Sequence, residues 1–293
     1  MSRSFSHACA FLPQQRLPQH GNCTADVSGL RQSFSGLSTH DEAMPELWVR
    51  GASASIPALA ALVEFTSGHA AIDSFDRRKL SDFTAGDSST LGALFTKHGS
   101  DKATHGIHVI YAHIFAELGR SRSLRTLEIG MGTNKPGLVS TMGASHTPGA
   151  SLRAFRDYLP NAIVHGADVD GSILFQETRI LTHQVDQLDR TSFDRLHRAF
   201  GSLRYDLVVD DGLHALGANL NTLDWAVRTL RPGGWLVVED IADRVLPGLA
   251  VADSLLRAAS HRGLEAWLVS RMSRAVHGTN IHYYVVRKRP RAR

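Results

Sequence analysis

The chain has 293 residues, 43% of them apolar and 20% charged, and a formal net charge of +4. That is ample apolar material for one large core, and no apolar run is long enough to span a bilayer. The small net charge, and a basic tail Arg287–Arg293 without interleaved aromatics, argue against nucleic acid as the partner.

Residues 1–45 are rich in Ser, Gln, Gly and His with no sustained period and read as loop or disorder. Arg3 precedes only a brief apolar patch, Ala8–Leu12, broken by Pro13, which does not resemble a secretory signal. The two cysteines, Cys9 and Cys23, make neither a zinc site nor a disulfide framework, so a cytoplasmic setting is expected. Residues 46–90 read as an auxiliary helical segment, with a short apolar helix between Ser55 and Gly68 that carries Pro57 in its first turn. Next comes a polar knot, Lys97–Gly106, ahead of a helix whose Ile107, Ile110, Tyr111, Ile114, Phe115 and Leu118 share one face. The knot is either a capping loop or a flap over a ligand.

From Arg125 the period changes. Strands are expected at Arg125–Gly130, Ile163–Asp168, Ile180–Asp186, Tyr205–Asp210, Trp235–Glu239, Glu265–Val269 and Ile281–Arg287. Helices are expected between them at Ala150–Leu159, Ser192–Phe200, Ala215–Leu230 and Val245–Arg262. This alternation predicts an α/β fold over residues 91–293: a doubly wound, mostly parallel seven-stranded sheet, Rossmann-like, with an N-terminal extension. The last two strands lie close enough in sequence to form an antiparallel edge.

In such sheets ligands bind where strands end. The stretch Y-D-L-V-V-D-D-G-L-H, Tyr205–His214, is an apolar strand emptying into acids, a glycine and a histidine, and the next strand ends in Glu239-Asp240. Neighbouring strand ends would bring Asp211, Glu239 and Asp240 around a hard cation, with His214 placed to take a proton. At the first strand end, Gly130 and Gly132 form a glycine turn. It is not a P-loop, since no G-K-[ST] follows, and position 135 is Lys where a dinucleotide fingerprint needs glycine. Glu128 would repel a pyrophosphate but can accept from an amino group, as S-adenosylmethionine requires. Asp168 suits ribose hydroxyls, and Asp186 with Gln187 could meet an adenine amino group. Asp210 either holds the cofactor's amino group or stabilises its loop. Each has a plainer alternative: Glu128 as a capping carboxylate, Asp168 and Asp186 as turn acids, and His214 as one loop histidine among 16.

The order L-E-I-G-M-G, G-A-S-L-R-A-F-R-D-Y-L-P, H-G-A-D-V-D, H-Q-V-D-Q, V-V-D-D-G-L-H and R-P-G-G-W-L-V-V-E-D resembles class I S-adenosylmethionine-dependent methyltransferases. More narrowly, it is similar to the metal-dependent O-methyltransferases of macrolide deoxysugars. The resemblance covers roughly residues 90–240, including S-D-K-x-T-H-G at Ser100–Gly106. It implies magnesium on Asp211, Glu239 and Asp240, His214 as general base, and Ser151 of the G-A-S-L-R block among the cofactor-binding residues. The implied acceptor is a sugar hydroxyl of a glycosylated natural product or surface glycan, and the implied assembly a homo-oligomer without a membrane partner. A metal-independent methyltransferase acting on a small-molecule nitrogen, carboxyl or phenol is the alternative enzyme reading; a cofactor-binding scaffold without catalysis is the non-enzymatic one. The stretch after Asp240 is shorter than in the macrolide enzymes, and the stretch before Leu91 shows no likeness to them.

Overall fold

The computed structural model describes residues 75–138, 141–142, 146–201, 203–258, 263–271 and 280–290, together with Ser55 and Ala58. The expectation for residues 1–45 lies outside the described residues. Within 46–90, Ser55 and Ala58 are helical and the described remainder from residue 75 is short strand, turn and the start of a helix.

Nine strands form one sheet: β1 (Arg77–Arg78), β2 (Arg125–Ile129), β3 (Ile163–Asp168), β4 (Gln176–Glu177), β5 (Ile180–Gln184), β6 (Tyr205–Asp210), β7 (Leu230–Ala242), β8 (Leu264–Arg271) and β9 (Ile281–Lys288). Their order is β1-β8-β9-β7-β6-β2-β3-β5-β4. All seven expected strands are present. The sheet is nevertheless nine-stranded rather than seven-stranded, and it is mixed, with β4 and β9 running against the other seven. The added edges β1 and β4 have two residues each, too few to show an alternating pattern. β9 runs antiparallel to both β7 and β8, and β4 antiparallel to β5.

Between residues 75 and 290 the described α-helices are α1 (Ser88–His98), α2 (His108–Leu118), α3 (Ala150–Tyr158), α4 (Arg190–Ala199), α5 (Leu216–Thr229) and α6 (Leu246–Ala258). The alternation along β6 shows why its sequence is apolar throughout. Leu207 and Val209 pack with Phe95, Tyr111 and Phe155 on one face, while Val208 packs with Leu196, Leu220 and Leu249 on the other. A strand buried on both faces has no polar side to display. In β2 the same alternation sends Leu127 and Ile129 to the α4–α6 face and leaves Glu128 facing α1–α3.

On that face an aromatic cluster joins three helices. Phe155 of α3 meets Phe95 of α1 at 5.4 Å and Tyr111 and Phe115 of α2 at 5.1 and 5.5 Å, edge to face in each case. The loop between α1 and α2, which holds the polar knot, is therefore carried on a rigid base. Asp87 caps α1 by accepting from the Thr90 amide at 2.9 Å, and Gly99 ends it in a left-handed conformation at φ 82°. No helix among the described residues is long and apolar enough to cross a membrane.

The connections place β2 at the reversal point. The chain steps outward from β2 to β3 and β5 on one side, and to β6 and β7 on the other. A crevice therefore opens at the carboxyl ends of β2 and β6. β7 runs past the expected Glu239, with an irregularity in its pairing to β9 between Val238 and Ile241.

One buried side chain makes the fold sensitive to acid. His165 of β3 is 1% exposed and stacks on Phe200 at 3.9 Å; its Nδ1 lies 3.1 Å from the Tyr205 hydroxyl. Burial, helped by the charge of Arg125, lowers its pKa from 6.5 to about 4. The folded state thus resists a proton that the unfolded chain accepts. This contribution to stability is intact above pH about 6.5 and is lost as the pH falls towards about 4, on the order of 3 kcal/mol in all. Urea unfolding at neutral and acidic pH should show that loss in the wild type, and a smaller one in His165→Phe, which stacks but does not titrate.

Candidate active site

The turn after β2 brings two strand ends into backbone contact. The Asp211 amide donates to the Ile129 carbonyl at 2.8 Å, and the Gly130 amide to the Ala167 carbonyl at 2.8 Å. Gly130 has φ 91°, and a Cβ there would lie 2.1 Å from the Asp211 carbonyl oxygen. Only glycine permits that approach. Asp168 organises the same turn. Its Oδ2 accepts from the Met131 amide at 2.8 Å and its Oδ1 from the Asp170 amide at 2.9 Å.

At the crevice the strand-end acids converge on a residue far from them in sequence. Lys102, from the loop between α1 and α2, is 3% exposed. Its Nζ donates to Glu239 Oε1 at 2.5 Å and Asp211 Oδ2 at 2.6 Å, and lies 3.2 Å from Glu128 Oε1. The Tyr111 hydroxyl donates to the same Glu239 oxygen at 2.5 Å, and the Ser151 hydroxyl to Glu128 Oε2 at 2.5 Å.

Burial alone would lower the Lys102 pKa, but the charges of Asp211, Glu239 and Glu128 hold it well above the ordinary range, so it is an ammonium. Burial and then the Asp211 charge push Glu239 well up, against the pull of Lys102. Burial raises Glu128 against the same pull, and raises Asp240 against the pull of His214.

His214 and Asp240 share an unusual backbone. Their φ values are 53° and 50°, in the left-handed region, and neither is glycine. Such strain gathers at functional sites. His214 Nε2 lies 3.9 Å from Asp211 Oδ1, and its Nδ1 is buried without a hydrogen-bond partner.

Two groupings of possible ligand atoms lie within 4.8 Å of one another among the described residues: Asp211, His214 and Asp240, and Glu128, Asp211 and Glu239. The expected trio of Asp211, Glu239 and Asp240 is thus divided between two sets that share Asp211.

Other expected residues turn inward. Gln187 Nε2 donates to Asp210 Oδ1 at 2.7 Å and to the Thr222 hydroxyl at 2.9 Å, while its Oε1 accepts from the Leu213 amide at 2.8 Å. Asp210 is fully buried and also accepts from Asn219 Nδ2 at 3.1 Å. These two side chains brace the D-D-G-L-H loop, which favours the loop-stabilising alternative for Asp210. Asp186 Oδ1 accepts from the Leu188 amide at 2.9 Å, an Asx-type turn. At Gly132, with φ 83°, a Cβ would fall 1.7 Å from Met142 Sδ, so this glycine serves close loop packing.

Sequence reasoning missed Lys102 and Tyr111. Lys102 belongs to the knot read as a cap or flap, and Tyr111 to an apolar helical face. The available signal was electrostatic: several acids meeting at strand ends require a buried cation.

No family model matches the chain. It is similar to the 8-demethyl-8-(2-methoxy-alpha-L-rhamnosyl)-tetracenomycin-C 3'-O-methyltransferase of Streptomyces olivaceus, at 32% identity over 54% of this chain and 38% of that protein. It is also similar to the mycinamicin VI 2''-O-methyltransferase of Micromonospora griseorubida, at 35% identity over 44% of this chain and 30% of that protein. The matches thus span well under half the length of these curated relatives. Among solved structures, the MycE methyltransferase of the mycinamycin biosynthetic pathway, in complex with Mg and SAH, aligns with a TM-score of 0.51 at 24% identity, over 71% of this chain and 56% of that one. This likeness shows a Rossmann-like α/β fold.

Replacing Gln187 by Leu leaves the Asp210 carboxylate and the Leu213 amide short of partners. Urea unfolding of Gln187→Leu should show a loss of about 2–3 kcal/mol.

Proposed function

We propose that the chain is an S-adenosylmethionine- and magnesium-dependent O-methyltransferase acting on a sugar hydroxyl of a glycosylated natural product. In this reading residues 91–293 are the methyltransferase domain. The observation that carries it is the pair of ligand sets that share Asp211, one with His214 and Asp240 and the other with Glu128 and Glu239, at the reversal point of the sheet beside the Gly130–Gly132 turn. The similarity to the rhamnosyl and mycinamicin O-methyltransferases, and to MycE in complex with Mg and SAH, supports the choice of donor, ion and acceptor.

The residues fit a hard divalent ion, since the cluster offers carboxylate oxygens and magnesium prefers oxygen donors. Asp211, Glu239 and Asp240 would hold it. A bound magnesium supplies positive charge that makes a sugar hydroxyl more acidic and fixes its direction. His214, with an unpartnered Nδ1, takes the hydroxyl proton. A bound S-adenosylmethionine would supply the methyl group to the freed oxygen, the electron pair of the broken carbon–sulfur bond staying on sulfur as a thioether. Gly130 and Gly132 would shape the turn beside the donor, Asp168 would meet its ribose, and Glu128 and Ser151 would face its amino group. Asp186, Gln187 and Asp210 act behind them by holding the loops. Catalysis rests largely on aligning two bound reactants.

Chelation by EDTA should abolish methylation of rhamnosyl glycosides, and added magnesium should restore it. His214→Ala should lower kcat by roughly 10²–10⁴, with donor affinity by calorimetry unchanged. Full turnover in excess EDTA would reject the metal-dependent reading.

A further inference from the structure

Two of the three acids that would hold the ion, Asp211 and Glu239, already meet a buried cation. Lys102 enters from a loop anchored on both sides: the Ser100 amide donates to the Phe95 carbonyl at 2.9 Å, and the Tyr283 hydroxyl to the His105 carbonyl at 3.2 Å. Its ammonium has three protons and meets three carboxylates, those of Glu239, Asp211 and Glu128, at 2.5, 2.6 and 3.2 Å. These are hydrogen-bond separations, longer than the roughly 2.0–2.1 Å of a magnesium–oxygen bond. The inner set of Glu128, Asp211 and Glu239 is therefore shaped to an ammonium.

The arrangement also divides each carboxylate. Lys102 takes Asp211 Oδ2 and leaves Oδ1, the oxygen nearer His214. It takes Glu239 Oε1, which also accepts from Tyr111, and leaves Oε2. Asp240 is not among its hydrogen-bond partners, and groups instead with Asp211 and His214.

We propose that Lys102 is a positioning residue: its ammonium clamps one oxygen each of Glu128, Asp211 and Glu239, closes this inner set to divalent ions, and turns the remaining oxygens of Asp211 and Glu239 outward so that, with Asp240, they hold a single ion. The proposal rests on the metal-dependent reading and adds a second, built-in cation to it. Its physical basis is that two cations within one small group of ligands repel strongly in a buried site. The covalently held one, at a high effective concentration, keeps its place.

The test uses the full chain and manganese(II) as the probe, read by calorimetry and by electron paramagnetic resonance. The wild type should bind one ion per chain, and raising the manganese concentration should not add a second. Lys102→Met, which keeps the stem and removes the charge, should bind a second ion or bind the first at least ten-fold tighter, because the inner set becomes free. A merely structural lysine would change stability and leave ion number and affinity untouched. If the wild type binds one ion and Lys102→Met binds it with the same number and affinity, this proposal fails alone. Two ions in the wild type would also overturn it, because Lys102 would then be yielding its place; this measurement stands even if the variant does not fold. A wild type that binds no ion rejects the metal-dependent reading, and this proposal with it.

Discussion

The crevice depends on a single long-range interaction, the contact of the Lys102 ammonium with three carboxylates, from β2, from the loop after β6 and from β7. Glu128 and Glu239 are almost wholly buried, and ionised groups out of water are costly unless paired. Breaking a buried ion pair by removing one partner costs about 3–5 kcal/mol. The lysine allows several strands to end in acid at one place without forcing them apart. It also ties the α1–α2 loop to the sheet, so the wall of the crevice and its floor form one structure.

The rest of the architecture serves to deliver that contact. The edge-to-face packing of Phe95, Tyr111, Phe115 and Phe155 sets the positions of α1, α2 and α3, and hence of the loop that carries Lys102. Tyr111 does both jobs, with its ring in this cluster and its hydroxyl on Glu239. On the other side, Gln187, Asn219 and Thr222 hold Asp210 and the loop after it. Asp211 and His214 are thereby presented from a braced segment.

Much of the fold was legible because burial leaves a mark on sequence. β6 is buried at all six positions, and its apolar run ended by acid was readable as a strand end. β2, β3, β7, β8 and β9 carry the same mark, whereas β5 buries only Ile180. The two-residue edges carry none, because they consist of pairing alone. The gathering of acids was legible where strands end, since Asp211 lies near His214 and Asp240 on one side and near Glu128 and Glu239 on the other. The site was not legible at Lys102, which is 109 residues from Asp211 and 137 from Glu239 in sequence. A contact over that distance has no local pattern, and a lysine in a polar loop looks like any solvated one. Gln187 and Asp210 were identified as residues of the site region, but their mutual hydrogen bond depends on how two loops meet.

The left-handed backbone at His214 and Asp240 carries an evolutionary implication. A glycine at either position would relax the main chain and make the native state more robust, yet it would remove an imidazole or a carboxylate from the crevice. Selection for thermal robustness alone would therefore erode these two side chains, and a thermostabilised descendant bred without an activity screen should accumulate its losses there first.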